Sequence, residues 1–348
     1  MTRILVFSVV MLLAGKLGLF AQAADTIRIG DHNAMRAERI YNEGVSLFSE
    51  GKHTQSMQRF NEAIAMRPDF FKAYYNRGVV KAETGDFTGA LADYNLVIGK
   101  MPDFAMAYFA RGKAFMALDQ AQDAINDFTQ AVSLDNRNYL AFYYRGVLNF
   151  DLGHFDSAID DFTASINIRS DFAHAYNDRG SAQRMKGNLN AAAADYQQAV
   201  FLDPTMAFAF NNLGSVRLAM NQPREAIEFF TTAIRLSGEY ANAFNNRAVA
   251  HMELGQYEEA LRDLNKLLEL QPENINALTN RGNVKYQLQD YQGAEQDHSM
   301  AIRLNPDFGP AYLNRGIARE MLRNPEGARQ DWQKALGLGL EQARDFLD

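Results

Sequence analysis

The sequence predicts an all-α fold made of tandem copies of one helix–turn–helix unit, and three observations predict it. The chain repeats itself. Rows of 34 residues laid out from Ala37 fit nine times, as 37–70, 71–104, 105–138, 139–172, 173–206, 207–240, 241–274, 275–308 and 309–342, with no insertion or deletion. Positions 4, 7, 8 and 10, then 20, 24, 27 and 28 of these rows recur at helical spacing, so each row reads as two amphipathic helices. Five rows carry proline at position 32 (Pro68, Pro102, Pro204, Pro272 and Pro306), where it cannot continue a helix and so ends the second one.

Each recurring position has a physical role. The eighth residue is small: Gly44, Gly78, Gly112, Gly146, Gly180, Gly214, Ala248, Gly282 and Gly316. The twentieth is small as well, from Ser56 and Ala90 through Ala328, so the two helices of a row can approach closely. Position 24 is aromatic in seven rows, with Leu264 and His298 as exceptions, and fills the space between rows. Turns such as Gly85-Asp86-Phe87 and Gly153-His154-Phe155 separate the helices, Gly85 as a C-cap and Asp86 as an N-cap. Pro223 and Pro325 fall in the first turn of a second helix, where a missing N–H costs nothing.

Over residues 37–342 this layout resembles the tetratricopeptide repeat. The resemblance implies a right-handed superhelical solenoid whose first helices line a concave groove, through positions 2, 5, 6, 9 and 12. Two departures stand out. The family's Trp-x-x-Leu-Gly appears as Tyr-x-Asn-Arg-Gly or a close variant, as in Tyr74 to Gly78 and Tyr312 to Gly316. Position 11, aromatic in the family, is mostly polar here (Lys81, Asn149, Gln183, Arg217, Lys285 and Arg319), which alters what the first helix presents.

The arginine at position 7 comes with a partner. Arg77, Arg111, Arg145, Arg179, Arg247, Arg281 and Arg315 share their rows with Asp93, Asp127, Asp161, Asp195, Asp263, Asp297 and Asp331 at position 23. Row six has neither, but Leu213 with Phe229, and row one exchanges the charges as Glu43 with Arg59. Positions 7 and 23 are therefore expected to touch as bidentate ion pairs.

The ends read differently. Arg3, the apolar run from Ile4 to Ala14 and Ala21-Gln22-Ala23 read as a secretory signal over 1–23, cleaved near Ala23. Lys16 interrupts the apolar stretch, which favours cleavage over a membrane anchor. The look of this signal is bacterial, so the expected location is periplasmic or extracellular, in the envelope. Residues 24–36 read as a polar lead-in. Leu340, Phe346 and Leu347 suggest a helix over 340–348 that caps the last row, as solenoids require.

Composition narrows the chemistry. The chain has no cysteine, which removes disulfides, thiol catalysis and Cys-type metal sites. The net charge of −7 becomes −9 once Arg3 and Lys16 leave with the signal, an acidic body unsuited to nucleic acid or to an anionic membrane as main partner. No later stretch is long and apolar enough to span a membrane. The histidines His32, His53, His154, His174, His251 and His298 show no metal-ligand spacing. No phosphate loop, dinucleotide fingerprint or nucleophile elbow occurs. No catalytic residue, metal or cofactor is expected.

Mapped onto the groove positions that the resemblance implies, the sequence has two zones. Position 5 carries Tyr41, Tyr75, Phe109 and Tyr143, then Asn177, Asn211 and Asn245. Position 6 carries Asn212, Asn246, Asn280 and Asn314, with Asn42 and Asn76 earlier. Asparagine offers a donor and an acceptor, so a row of them can pair with the amides of an extended chain, as in other long superhelices of this family. Local capping by the same residues is the alternative. The aromatic zone either docks apolar partner residues or packs between neighbouring first helices. The chaperone-type carboxylate clamp of the family does not fit, because position 5 is never basic and Lys113 and Arg184 stand apart. The expected function is a non-enzymatic scaffold that binds an extended segment of another protein. A glycan-binding or glycan-assembly accessory role is the alternative, and the oligomeric state is open.

Overall fold

A computed structural model describes residues 32–347. The expected signal peptide 1–23, its cleavage near Ala23, the lead-in up to residue 31 and Asp348 lie outside the described residues. Among those described, eighteen α-helices form nine consecutive pairs, and all regular secondary structure is helical. The first helices are α1 (His32–Ser49), α3 (Phe71–Glu83), α5 (Ala105–Ala117), α7 (Tyr139–Asp151), α9 (Ala173–Met185), α11 (Ala207–Ala219), α13 (Ala241–Glu253), α15 (Ile275–Gln287) and α17 (Gly309–Met321). The second helices are α2 (His53–Met66), α4 (Phe87–Lys100), α6 (Ala121–Leu134), α8 (Phe155–Ile168), α10 (Leu189–Leu202), α12 (Pro223–Leu236), α14 (Tyr257–Leu270), α16 (Tyr291–Leu304) and α18 (Pro325–Gly337). α1 begins at His32, so the last residues of the segment expected as a polar lead-in are helical, an extension that costs little once a helix is nucleated.

The turns explain the exact period. Position 15 of every row lies in the left-handed region: Gly51, Gly85, Gly153, Gly187 and Gly255, but also Asp119, Asn221, Gln289 and Arg323, at φ of 58° to 65° for these four. A single left-handed residue reverses the chain between the helices, and glycine adopts that conformation without strain. Asp86, Asp290 and Asn324 then cap the following helix by accepting the backbone N–H of Gly89, Gly293 and Gly327. Pro223 and Pro325 occupy first-turn positions of α12 and α18. Second helices end two residues before Pro68, Pro102, Pro204, Pro272 and Pro306.

Two compact units divide the chain between Ala182 and Gln183. Within each, the helices of a row pack on one another and each second helix packs on the next first helix, as α2 on α3 or α12 on α13. The core repeats one contact. The ring at position 24 lies against the glycine at position 8: a Cβ on Gly112 would sit 2.9 Å from Phe128, on Gly214 2.6 Å from Phe230, and on Gly316 2.4 Å from Trp332. Row seven changes both partners together, to Ala248 and Leu264, both buried. Row eight places His298 against Gly282, with the ring 1% exposed.

The C-terminal segment forms a short 3₁₀-helix, Glu341–Phe346. Phe346 stacks on Trp332 at 5.1 Å between ring centroids. Ala343 is buried, and Leu340 and Leu347 cover the remaining apolar face of the last row.

Candidate binding face

The arginines at position 7 set the frame of this face. Arg77 donates from Nε and Nη2 to Asp93 at 2.9 and 2.6 Å, and Arg111 donates to Asp127 at 2.7 Å from each. Arg145, Arg247, Arg281 and Arg315 meet Asp161, Asp263, Asp297 and Asp331 in the same fork. Row one has the reversed pair Arg59–Glu43 at 3.3 Å, more exposed than the others. Burial raises the Asp127 carboxyl above its ordinary value although Arg111 opposes it, so burying this pair costs much of what the pairing returns.

Two features of this frame escape a row-by-row reading of the sequence. The remaining guanidinium nitrogen, Nη1, reaches position 25 of the preceding row: Arg77 to Asn61, Arg111 to Asn95, Arg145 to Thr129, Arg179 to Thr163, Arg247 to Thr231, Arg281 to Asn265 and Arg315 to Ser299. Arg77, Arg111, Arg145, Arg247, Arg281 and Arg315 thus each tie three helices together. The recurring polarity at position 25 was its sequence signal. The residue at position 11 also serves the aspartate: Lys81, Asn149, Lys285 and Arg319 contact Asp93, Asp161, Asp297 and Asp331. Position 11 therefore belongs to the frame. In row six, without an aspartate, Arg217 turns to Gln222 at 3.2 Å and Glu225 at 3.6 Å.

The aromatic zone is corrected by burial. Tyr41, Tyr75, Phe109 and Tyr143 are at most 5% exposed. Tyr41 packs on Phe60 and Phe70, Tyr75 on Tyr94 and Phe104, Phe109 on Phe128 and Tyr144, and Tyr143 on Phe162 and Phe172. These rings fill the space between helices and present no docking patch. Rings of this size at helical spacing gain most by burying their whole surface.

The asparagines divide. Asn177 and Asn211 are buried, whereas Asn212, Asn245, Asn246, Asn280 and Asn314 are half-buried. One link recurs between position 5 of a row and position 6 of the next. Asn76 donates to the Tyr41 hydroxyl at 2.8 Å, the Tyr143 hydroxyl donates to Asp178 at 2.8 Å, and Asn246 donates to Asn211 at 3.0 Å. Part of the asparagine pattern therefore joins successive rows. Asn314 similarly donates to Asn283 at 2.9 Å. Accepting groups remain: Asn246 takes only a long contact from Asn245, at 3.4 Å, and the Asn280 amide has no hydrogen bond among the described residues.

Within the first unit the same face carries charge. Asp178 accepts from Tyr143 and from Asn177, and burial raises its carboxyl against both. Lys113 holds its ammonium 5.8 Å from the ring centroid of Tyr144. Among the described residues no group of histidine and carboxylate side chains is placed to hold a metal ion, and no helix is long and apolar enough to cross a membrane.

Comparison with known proteins agrees with this architecture. Models of the tetratricopeptide repeat match residues 109–171 and 152–207, 209–240 and 275–308, and a TPR repeat model matches 44–85 and 250–289. No curated protein sequence is significantly similar to the chain. Among solved structures, the C-terminal part of a TPR repeat-containing protein from Cytophaga hutchinsonii is 18% identical, over 69% of this chain and 99% of that one, with a TM-score of 0.58. Cut9–Hcn1 of the APC/C is 18% identical, over 80% and 55%, at 0.54. Pseudomonas aeruginosa pilF is 20% identical, over 58% and 92%, at 0.52. At such identities these likenesses speak to the fold alone. With the repeat models matching more than half of its length and helix pairs in every row, the chain belongs to the tetratricopeptide-repeat family.

Proposed function

We propose that the protein is a non-enzymatic scaffold that binds an extended segment of another protein along its first-helix face, through the asparagines of rows six to nine. The supporting observation is the half-buried series Asn245, Asn246, Asn280 and Asn314, which keeps amide acceptors available on the first helices of rows seven to nine. Side-chain amides pair with backbone amides whatever the partner's side chains, so such a series favours extended chain over a folded surface. A glycan needs exposed ring faces to stack on, and Tyr41, Tyr75, Phe109 and Tyr143 offer none. The signal-like N-terminus places the scaffold in a bacterial envelope in this reading.

The test uses the mature chain with photo-crosslinking probes at Asn212, Asn245 and Asn280, incubated with envelope extract. One contiguous partner segment should crosslink to the three probes in sequence order. Crosslinks scattered over a folded partner surface would end the reading. Replacing Asn245 and Asn280 together with alanine should abolish capture and leave melting unchanged. Asn211 is a poor choice for this purpose because it holds Asn246.

A further inference from the structure

A second feature of the first-helix face lies in the first unit and concerns one cation. Position 9 is Val45, Val79, Val147, Ser181, Ser215, Val249, Asn283 and Ile317 in eight rows, and Lys113 in row three. Lys113 is half-buried on α5. Its ammonium lies beside the ring of Tyr144 on α7, which is 1% exposed. Arg77, Lys81, Arg111 and Arg145 of the same unit each meet an aspartate within 2.8 Å. Among the described residues Lys113 meets no carboxylate within 4.0 Å, although Glu83 is near enough to act on it. Tyr144 repeats the pattern: its hydroxyl is buried and finds no hydrogen-bond partner.

Leaving a cation partly desolvated is costly, and a ring face at this distance returns only part of that cost. A valine, as in rows two and four, would fill the position without that cost. The charge is therefore available to a group outside the described residues. Glu83 acts on Lys113 from a distance without contacting it, and Asp178 already accepts two hydrogen bonds. The missing partner is an anion small enough to reach between two first helices. Lys113 sits in row three, with the same face continuing through rows one, two and four, so a chain lying there runs past it and does not end there.

We propose, building on the scaffold reading above, that Lys113 and the Tyr144 ring form an anchor for an acidic side chain, Asp or Glu, of an extended segment bound along the first helices of the first unit. Burial lowers the Lys113 ammonium from its ordinary value, as expected for a cation awaiting a counter-charge. The anchor differs from a clamp for a chain terminus, in which several basic residues converge on one carboxylate.

The experiment measures binding of three labelled extended Gly/Ser/Thr peptides to the full mature chain. One has a central Glu and an amidated end, one a central Gln and an amidated end, and one a central Gln and a free C-terminal carboxylate. The Glu peptide should bind about tenfold tighter than its Gln counterpart, the worth of one charged hydrogen bond. That preference should shrink with salt. Lys113→Met should erase it at unchanged melting temperature, and Lys113→Arg should retain most of it. Equal binding of the Glu and Gln peptides, or a preference that survives Lys113→Met, overturns the anchor and leaves the asparagine reading intact. A preference for the free C-terminus over the internal Glu overturns the choice of a side chain. Failure of all three peptides to bind overturns both readings.

Discussion

Arg247 grips Asp263 with two nitrogens, Nε at 2.8 Å and Nη2 at 2.6 Å, and spends a third on Thr231 of the preceding row at 3.0 Å. The aspartate is 5% exposed, so the pair is desolvated as well as bidentate. Such a pair stabilises less by existing than it destabilises by being halved.

Arg111→Met should accordingly lower stability by about 3 kcal/mol, because Asp127 is left buried without its counter-charge. Converting the pair to Arg111→Leu with Asp127→Phe should recover most of that loss. Row six already has this arrangement in Leu213, fully buried, and Phe229. Chemical denaturation of the single and double variants measures it, and additive losses would refute the coupling.

Gly214→Ala should cost about 1–3 kcal/mol, since its Cβ would lie 2.6 Å from Phe230. Adding Phe230→Leu should relieve the clash and reproduce the Ala248–Leu264 combination of row seven. Thermal melting of the two variants decides whether the glycine is required by the ring.

His298 supplies a pH dependence. Burial, with Arg315 and Lys285 adding to it and Asp297 opposing, lowers its pKa from 6.5 to about 4. Between those values the unfolded chain binds the proton and the folded chain does not, so stability is full above pH 6.5 and falls as pH drops to about 4. The loss amounts to roughly 3 kcal/mol at most. His298→Phe should flatten that part of the stability profile and raise the melting temperature at pH 5 more than at pH 8. Equal gains at the two pH values would show that the ring is not titrating as described.

Arg323 occupies the left-handed turn position at φ 60°, where five other rows place glycine. Arg323→Gly should stabilise the last row by about 1 kcal/mol, the cost a side chain imposes there. The fluorescence of Trp332, the chain's one tryptophan, follows that row directly.

The helix pairs, their period and the Arg–Asp pairing were legible because each is written in one row and repeated in the next. The binding face was less legible. Position 5 sits on the first helix, but Phe70, Phe104 and Phe172, the last residues of rows one, two and four, fold over Tyr41, Tyr75 and Tyr143 and bury them. Burial of that kind depends on how rows stack, and no periodicity within a row reports it. The asparagines mislead in the same way: Asn76 and Asn246 look like free ladder rungs until the preceding row's Tyr41 and Asn211 are seen to hold them. The left-handed turns at Asp119 and Gln289 were hidden because their residue types do not announce the conformation that glycine announces at Gly85.

The guanidinium contact to the preceding row has one further consequence. An array of this kind behaves as a one-dimensional chain of neighbours, in which the coupling between adjacent rows decides how far a local opening spreads. Seven rows carry that coupling through an arginine, and row six has Leu213 in its place. The junction between α10 and α11 rests on apolar packing alone at this position, without the hydrogen-bonded rivet its counterparts share. At that seam an unfolding front arriving from either end meets one hydrogen-bonded link fewer than at the junctions where an arginine stands.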